Sequence, residues 1–172
     1  MARVPQISLV LMGEGRLRED LQRRVQAYGT EVRQRIHFHP AVALDELPAV
    51  TGTADIGVHP LQGDCLNHAY ASPNKIFEYF HAGLPVVASD LPEMRRIIGS
   101  NLEESPGVLT KETTKDLAHA LKMLGQNANL RKQLAKAAIR ASQQYCWEAQ
   151  EHILLGIYQK VLSSEDVSQK KV

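Results

Sequence analysis

The chain has 172 residues, of which 44% are hydrophobic and 23% charged, and its formal net charge is +1. This length suits one domain with a sizeable core, and the balanced charge gives no reason to expect a nucleic-acid partner. No apolar run approaches the roughly 20 residues that span a bilayer, and the first residues do not resemble a signal peptide. Two cysteines without CxxC spacing are typical of a reducing compartment, so we expect a cytoplasmic protein.

Short apolar segments alternate with amphipathic helical segments along the chain. The candidate strands are residues 7–12, 35–38, 55–60, 84–89 and 107–109. The first is a nearly continuous apolar run, which predicts a strand buried on both faces. The alternation predicts a parallel sheet with helices on both faces, and such sheets bind ligands beyond the carboxyl ends of their strands. The polar segment 163–172 is predicted to be a disordered tail.

The most informative segment is a helix predicted to begin at Ser72. This serine can cap the helix, and Pro73 stands in the favoured first position. The predicted buried face carries three apolar side chains, Ile76, Phe77 and Phe80. At about 100° per residue, Lys75 and Glu78 lie together on nearly the opposite face.

Lys75 and Glu78 allow two interpretations. A cation in the first turn is unfavourable by itself, because a helix N-terminus already carries about half a positive charge. Lys75 is explained if an anion binds there, and free N–H groups, the helix dipole and an ammonium together suit a diphosphate. Glu78, one turn later, can accept hydrogen bonds from a vicinal diol such as a ribose. The alternative is a solvated i,i+3 pair that contributes a few tenths of a kcal/mol.

The strongest pattern in the chain runs from residue 72 to residue 93. It reads Ser-Pro-Asn-Lys-Ile-Phe-Glu-Tyr-Phe-His-Ala-Gly-Leu-Pro-Val-Val-Ala-Ser-Asp-Leu-Pro-Glu. This stretch resembles the signature of the retaining glycosyltransferases of the GT-B fold, the large group-one (family four) set, and more narrowly its bacterial cell-surface polysaccharide members. The resemblance covers about residues 7–162 and includes the strand and Gly-x-Gly turn at 9–15, the segments 36–40 and 55–60, and the aromatic residues Trp147 and Tyr158.

This resemblance implies a fold and a function. Residues 1–162 would form the carboxyl-terminal, donor-binding domain, a Rossmann-like three-layer α/β/α domain with a mainly parallel sheet, incomplete at its N-terminal edge. The donor would be a UDP- or GDP-sugar, transferred with retention at the anomeric carbon to a glycan, lipid-linked or other acceptor. No metal or other cofactor is expected, and the acceptor-binding domain would be the missing partner. The full-length protein would be cytoplasmic, with peripheral association at the inner face of the membrane as a further expectation.

The resemblance also implies roles for individual residues. Glu78 would contact the ribose hydroxyls, and Lys75 would lie beside the diphosphate. Backbone N–H groups around three preceding residues would cradle that diphosphate, namely Ser72, Pro73 and Asn74. The remaining contacts would come from two turns, with Ala41 and Val42 facing the base edge and Gly13 and Gly15 facing phosphate; a plain strand-helix turn is the alternative for the two glycines.

Two departures from the family pattern affect the expected activity. Many members have an acid that touches the donor sugar eight residues before the ribose glutamate, and here that position is Tyr70. The family's diphosphate-binding arginine and lysine would precede Ile7. We therefore expect this chain alone to have little or no transferase activity. The alternatives are a non-catalytic, degenerate domain that acts as a partner or scaffold, and a sugar-nucleotide epimerase-like GT-B protein.

Several other signals are discounted. The seven histidines invite a metal interpretation, especially His37, His39, His59 and His68, but neither Cys65 nor Cys146 adds a recognisable ligand pattern. Cys65 has no paired base and is not expected to be a nucleophile. The third glycine of a dinucleotide fingerprint is absent, which argues against an NAD site. Glu93 is expected to be a helix-start residue rather than a catalytic acid.

Overall fold

The computed structural model describes residues 1–99, 101 and 104–168, and for 164–168 it describes only the helical backbone. The elements within this part follow in the order β1 Leu9–Met12, α1 Arg18–Gln26, α2 Thr30–Arg33, β2 Ile36–His39, α3 Leu47–Thr51, β3 Gly57–His59, α4 Leu66–Ala69, α5 Asn74–His81, β4 Val86–Ser89, α6 Pro92–Ile98, β5 Gly107–Thr110, α7 Thr114–Gln126, α8 Ala128–Gln144 and α9 Trp147–Ser168. All five predicted strands are therefore confirmed.

The strands pair in parallel, as predicted, but they form two sheets. β1 pairs with β2, and β3, β4 and β5 pair in that order. No backbone hydrogen bond between described residues joins β1 to β3. The sequence pattern indicates which segments are strands, whereas the pairing depends on neighbours that are distant in the chain.

β4 lies at the centre of three layers. Its side chains alternate between two hydrophobic clusters, because successive residues of a strand point to opposite faces. Val86 and Ala88 pack with residues of α5 and α6, including Phe80, while Val87 packs with Leu124 and Leu134 of α7 and α8. Helices therefore cover both faces of this sheet, which confirms the predicted α/β/α arrangement.

β1 is more open than its sequence predicts. The side chains of Leu9 and Leu11 are half-buried, but Val10 is 58% exposed and Met12 is 36% exposed. The prediction that β1 is buried on both faces is therefore wrong for the described structure. β1 pairs with β2 along one edge, and one face of this apolar strand has no cover among the described residues.

Two side chains, Asn127 and Arg131, form hydrogen bonds at the corner between α7 and α8. The Asn127 side chain caps α8 by accepting from Leu130 N–H at 3.0 Å. Arg131 then reaches back and donates to the last carbonyls of α7, those of Leu124 at 2.6 Å and Gly125 at 3.1 Å. These bonds satisfy carbonyl groups that a helix end otherwise leaves open.

The last helix extends further than predicted. α9 continues to Ser168, through the first part of the segment 163–172 for which a disordered tail is predicted. Residues 169–172 lie outside the described part of the chain. No helix in the described part is both long enough and apolar enough to cross a membrane.

Candidate functional site

The start of α5 has two backbone donors that remain open. Its N-cap residue is Pro73, and no side chain caps the helix. The N–H groups of Asn74 and Lys75 have no hydrogen-bond partner among the described residues. The prediction that Ser72 caps the helix is wrong, because Pro73 occupies the N-cap position and no side chain caps the helix. An N-terminus of this kind is suited to an anion, since its free N–H groups and dipole both favour negative charge.

Lys75 and Glu78 do not contact each other through an ion pair or a hydrogen bond in the described structure. Lys75 is exposed and Glu78 is half-buried. Neither side chain makes an ion pair or a hydrogen bond with another residue in the described part of the chain. The predicted apolar face packs into the core, with Ile76 and Phe80 fully buried and Phe77 partly buried against the same cluster. A cation and an acid are therefore held on the open side of a helix whose other side is fixed in the core.

His59 is a residue of this region that sequence reasoning did not assign to the site. It ends β3, is buried, and its Nε2 atom has no hydrogen-bond partner in the described structure. Burial lowers the pKa of His59, and the positive charge of Lys75 lowers it further. The imidazole is therefore neutral at pH 7. The sequence feature that could have indicated His59 is its position directly before Pro60, at the carboxyl end of a strand.

Glu93 forms an ion pair within α6. Its carboxylate accepts two hydrogen bonds from Arg96, at 2.6 and 2.9 Å, in a bidentate pair. The Arg96 guanidinium, helped by the Ser72 hydroxyl, holds the pKa of Glu93 below its usual range. Glu93 lies in the first turn of α6, as expected, and its contacts are structural.

The loop after β3 is tied to the loop after β5. Gly63 N–H donates to Glu112 Oε2 at 2.6 Å. A Cβ added to Gly63 would lie 2.6 Å from Leu91 Cδ2, so only glycine fits this approach without displacement. Sequence reasoning did not identify Glu112, because the bond joins residues that are 49 positions apart.

A second group of predicted site residues lies at the carboxyl ends of β1 and β2. Gly13 has a φ of 125°, in a region that favours glycine, and its N–H donates to the His39 carbonyl at 3.1 Å. Arg18 clamps this turn by donating to the carbonyls of Gly13 at 2.5 Å and His39 at 3.1 Å. Gly15 and Ala41 are exposed and Val42 is half-buried nearby in the chain.

The structure does not join these two groups of predicted residues. No hydrogen bond or ion pair among the described residues links the turns at 13–15 and 39–42 with the segment 72–78. Tyr70 adjoins the segment 72–78 in sequence, follows α4 and is 64% exposed. The two groups share a location at strand carboxyl ends, in two different sheets.

One cluster of possible metal ligands in the described structure contains a single histidine together with an aspartate and a cysteine. The ligand atoms of Asp64, Cys65 and His68 lie within 4.8 Å of one another. His68 Nδ1 is 2.6 Å from Asp64 Oδ1, and this contact is an ordinary exposed ion pair when the imidazole is protonated. His37 and His39 are not part of the cluster.

Parallel strands covered by two helix layers, with an open helix start beyond a strand end, define a Rossmann-like α/β domain. Solved glycosyltransferase structures share this fold. Sucrose-phosphate synthase from Thermosynechococcus elongatus is 21% identical with a TM-score of 0.74, over 95% of this chain and 41% of its own. HepE from Anabaena, solved with UDP-glucose, is 19% identical with a TM-score of 0.66, over 95% of this chain and 42% of its own.

WaaG, a glycosyltransferase involved in lipopolysaccharide biosynthesis, is 18% identical with a TM-score of 0.59, over 83% of this chain and 37% of its own. The chain thus spans less than half the length of these solved proteins. No curated protein matches the sequence. The family described as glycosyl transferases group 1 matches residues 1–127, which is most of the chain. The chain belongs to this family, as the motif at 72–93 indicated.

Proposed function

We propose that the start of α5 binds the diphosphate and ribose of a nucleotide-sugar, in the donor-binding part of a glycosyltransferase. The observation that carries the proposal is the pair of unpartnered side chains on α5, Lys75 and Glu78, next to two open backbone donors. These two residues leave a cation and an acid available to a ligand with both a negative and a hydroxylated part.

The chemistry assigns one part of the ligand to each group. The N–H groups of Asn74 and Lys75, with the Lys75 ammonium, bind the diphosphate at the positive end of the helix dipole. The Glu78 carboxylate accepts hydrogen bonds from the two ribose hydroxyls. Charge-assisted bonds of this kind each contribute about 1.5–3 kcal/mol. The same positive groups stabilise the diphosphate as it leaves during transfer.

The other predicted contacts complete the donor site in this proposal. Gly13 and Gly15 face phosphate, Ala41 and Val42 face the base, and Tyr70 lies where the sugar is recognised. The donor base is uracil or guanine; the UDP and UDP-glucose in the HepE structures favour uracil. In the full-length protein a separate domain binds the acceptor, and the sugar is transferred with retention. This chain alone has little transferase activity.

Calorimetric titration of the chain with UDP, GDP and uridine tests the proposal. We expect UDP or GDP to bind and uridine, which lacks the diphosphate, to bind at least about tenfold more weakly, since each tenfold change corresponds to about 1.4 kcal/mol. Lys75→Ala and Glu78→Ala should each raise the Kd about tenfold or more, given the strength of charge-assisted bonds. No binding of either diphosphate at millimolar concentration would contradict the proposal.

Matched controls separate the site from general charge effects. Lys122→Ala on α7 and Glu151→Ala on α9 remove exposed charges of the same types elsewhere. These variants should leave the Kd unchanged. If Glu151→Ala weakened binding as much as Glu78→Ala, Glu78 would have no specific role at the ribose.

The exposed Tyr70, at a position where many family members have an acid, favours a second candidate function. In that case the chain is a degenerate domain that acts as a partner or scaffold, and it does not bind nucleotide. An epimerase-like activity of the full-length protein would preserve nucleotide binding. The titration therefore separates the scaffold from the other two, and the products made from a nucleotide-sugar by the full-length protein separate transferase from epimerase.

A further inference from the structure

Three side chains with metal-binding atoms converge in the loop between β3 and α5. Asp64 and Cys65 come directly before α4, and His68 lies in its single turn. The ligand atoms of all three lie within 4.8 Å of one another. The turn is closed by the Ala69 N–H, which donates to the Cys65 carbonyl at 3.0 Å. Because residues three and four positions apart lie on the same side of such a turn, the local backbone itself brings the three side chains together.

The two cysteines of the chain differ in what their thiols contact. Cys146 Sγ donates to the Gln143 carbonyl at 3.4 Å. The Cys65 thiol is exposed and makes no hydrogen bond in the described structure. The contact between His68 Nδ1 and Asp64 Oδ1 at 2.6 Å accounts for those two side chains, but it leaves the thiol beside them without a role. A metal ion would use all three groups.

The loop is anchored to the rest of the domain directly before the cluster. Gly63 donates its N–H to Glu112 Oε2 at 2.6 Å, and Glu112 follows β5 in the chain. A Cβ added to Gly63 would lie 2.6 Å from Leu91 Cδ2, so the backbone is also packed closely there. Ligands on a backbone that is already positioned lose less conformational freedom when they bind an ion.

The chemistry of the three ligands identifies the ion. We propose that Asp64, Cys65 and His68 bind Zn²⁺, with a fourth position open to solvent. Thiolate and imidazole suit zinc, whereas Mg²⁺ and Ca²⁺ take oxygen ligands. The thiolate and the carboxylate together balance the two positive charges of the ion. None of the three residues belongs to the proposed donor contacts, so this site is separate from the proposed function.

A tetrahedral zinc site requires only small side-chain movements here. Zinc–ligand bonds of about 2.0–2.3 Å separate the ligand atoms from one another by about 3.3–3.6 Å. His68 Nδ1 and Asp64 Oδ1 must move apart from 2.6 Å, and no pair of atoms must close by more than about 1.5 Å from its limit of 4.8 Å. The side chains of His68 and Asp64 are 41% and 69% exposed, so they are free to adjust.

Titration with Co²⁺ tests the site, because this ion replaces Zn²⁺ in tetrahedral sites and its spectrum reports the ligands. The reduced, metal-free chain is titrated while the thiolate charge-transfer band and the visible d–d bands are recorded. We expect both to saturate at about one Co²⁺ per chain and to be lost on addition of Zn²⁺ but not of Mg²⁺. Cys65→Ala should abolish the charge-transfer band. Asp64→Ala and His68→Ala should each raise the Kd at least about tenfold.

Each ligand has a matched control elsewhere in the chain. Cys146→Ala, Asp45→Ala and His119→Ala remove the same three types of side chain and should leave the titration unchanged. The amide resonances of Val87 and Ala88 in β4 report by NMR that each variant is folded. They should not shift when Zn²⁺ is added to the parent chain, whereas those of residues 64–68 should.

Four results would overturn the proposal. They are the absence of a charge-transfer band at a tenfold excess of Co²⁺, a band that persists in Cys65→Ala, equal weakening by a ligand variant and its control, and one ion bound per two chains. The last would show that the ion bridges two molecules. No nucleotide is present in any of these measurements, so their outcome does not depend on the proposed function.

Discussion

The ammonium of Lys75 acts on the buried imidazole of His59 across the start of α5, and its charge adds to the effect of burial in lowering the pKa of that imidazole. The two residues come from different elements, β3 and α5. Lys75 is therefore exposed at the surface where an anion is proposed to bind and also acts electrostatically on a buried group. The relationship gives two predictions that do not require a ligand.

The first concerns the titration of His59 itself. Lys75→Met removes the positive charge but leaves the burial, so the pKa of His59 should rise toward its ordinary value of about 6.5 and remain below it. NMR titration of the histidine ring protons measures this shift. Lys122→Met on α7 is the control and should leave the His59 titration unchanged. An unchanged pKa in Lys75→Met would show that burial alone sets it.

The second concerns stability against pH. The folded pKa of His59 lies below its unfolded value of about 6.5, so the unfolded chain takes up this proton first as the pH falls. The free energy of unfolding should therefore be fully retained above pH 6.5 and decrease below it, by at most about 1.4 kcal/mol per pH unit from this group.

Urea denaturation at pH 7.5 and 5.5 tests this second prediction. His59→Gln should reduce the difference in unfolding free energy between the two pH values. His119→Gln changes an exposed histidine of α7 and should preserve the difference. The prediction fails if His59→Gln and the parent chain lose the same free energy on acidification.

A third prediction concerns the contact between Gly57 and Tyr79. A Cβ at position 57 would collide with the Tyr79 ring, and that ring packs α5 against β3. Gly57→Ala should lower the free energy of unfolding by about 1–3 kcal/mol, the usual cost of overpacking. In a Tyr79→Leu background the same change should cost distinctly less, because the ring that is displaced is absent.

A double-mutant cycle by chemical denaturation measures this coupling. Gly156→Ala is the control, since nothing lies within 4 Å of its added Cβ and alanine is the better helix former. It should be neutral or stabilising by up to about 1 kcal/mol. Additive effects of Gly57→Ala and Tyr79→Leu would show that the collision is relieved elsewhere.

A fourth prediction concerns Arg18, which donates to the carbonyls of Gly13 and His39. Arg18→Met keeps much of the side-chain length but removes both hydrogen bonds. The Gly13 amide, which bonds His39, should then exchange with solvent at least about tenfold faster, because local opening becomes easier. Arg23→Met, on the same helix, removes an exposed guanidinium and should leave that amide unchanged.

The sequence was sufficient to predict the strands, the alternation and the buried face of α5. Each of these depends on local periodicity, and Ile76 and Phe80 occupy the core as the spacing indicated. The motif at 72–93 indicated the glycosyl transferases group 1 family, and the match of that family to residues 1–127 establishes that the chain belongs to it. Local patterns and specific motifs are therefore reliable where the relevant neighbours are close in the chain.

Other features depend on partners that periodicity does not reveal. Ser72 has a capping sequence, but Pro73 is the N-cap, and the Ser72 hydroxyl instead helps to lower the pKa of Glu93, which lies on another helix. The bond from Gly63 to Glu112 and the effect of Lys75 on His59 likewise join separate elements. β1 has the composition of a fully buried strand, yet its exposure is set by which strands lie beside it. A sequence pattern indicates the conformation and burial that a residue favours. The tertiary fold determines which residues it contacts.

The separation of the two sheets has a consequence for how the molecule opens. Apart from Val4, the buried hydrophobic side chains of the described residues lie between Ile76 and Ala138, around β4 and the helices that cover it. β1 and β2 contribute none of them and share no hydrogen bond with the other sheet in the described structure. Pulling or heating the chain should thus detach its first 40 or so residues as one cooperative unit. The remainder would persist as a smaller, native-like body.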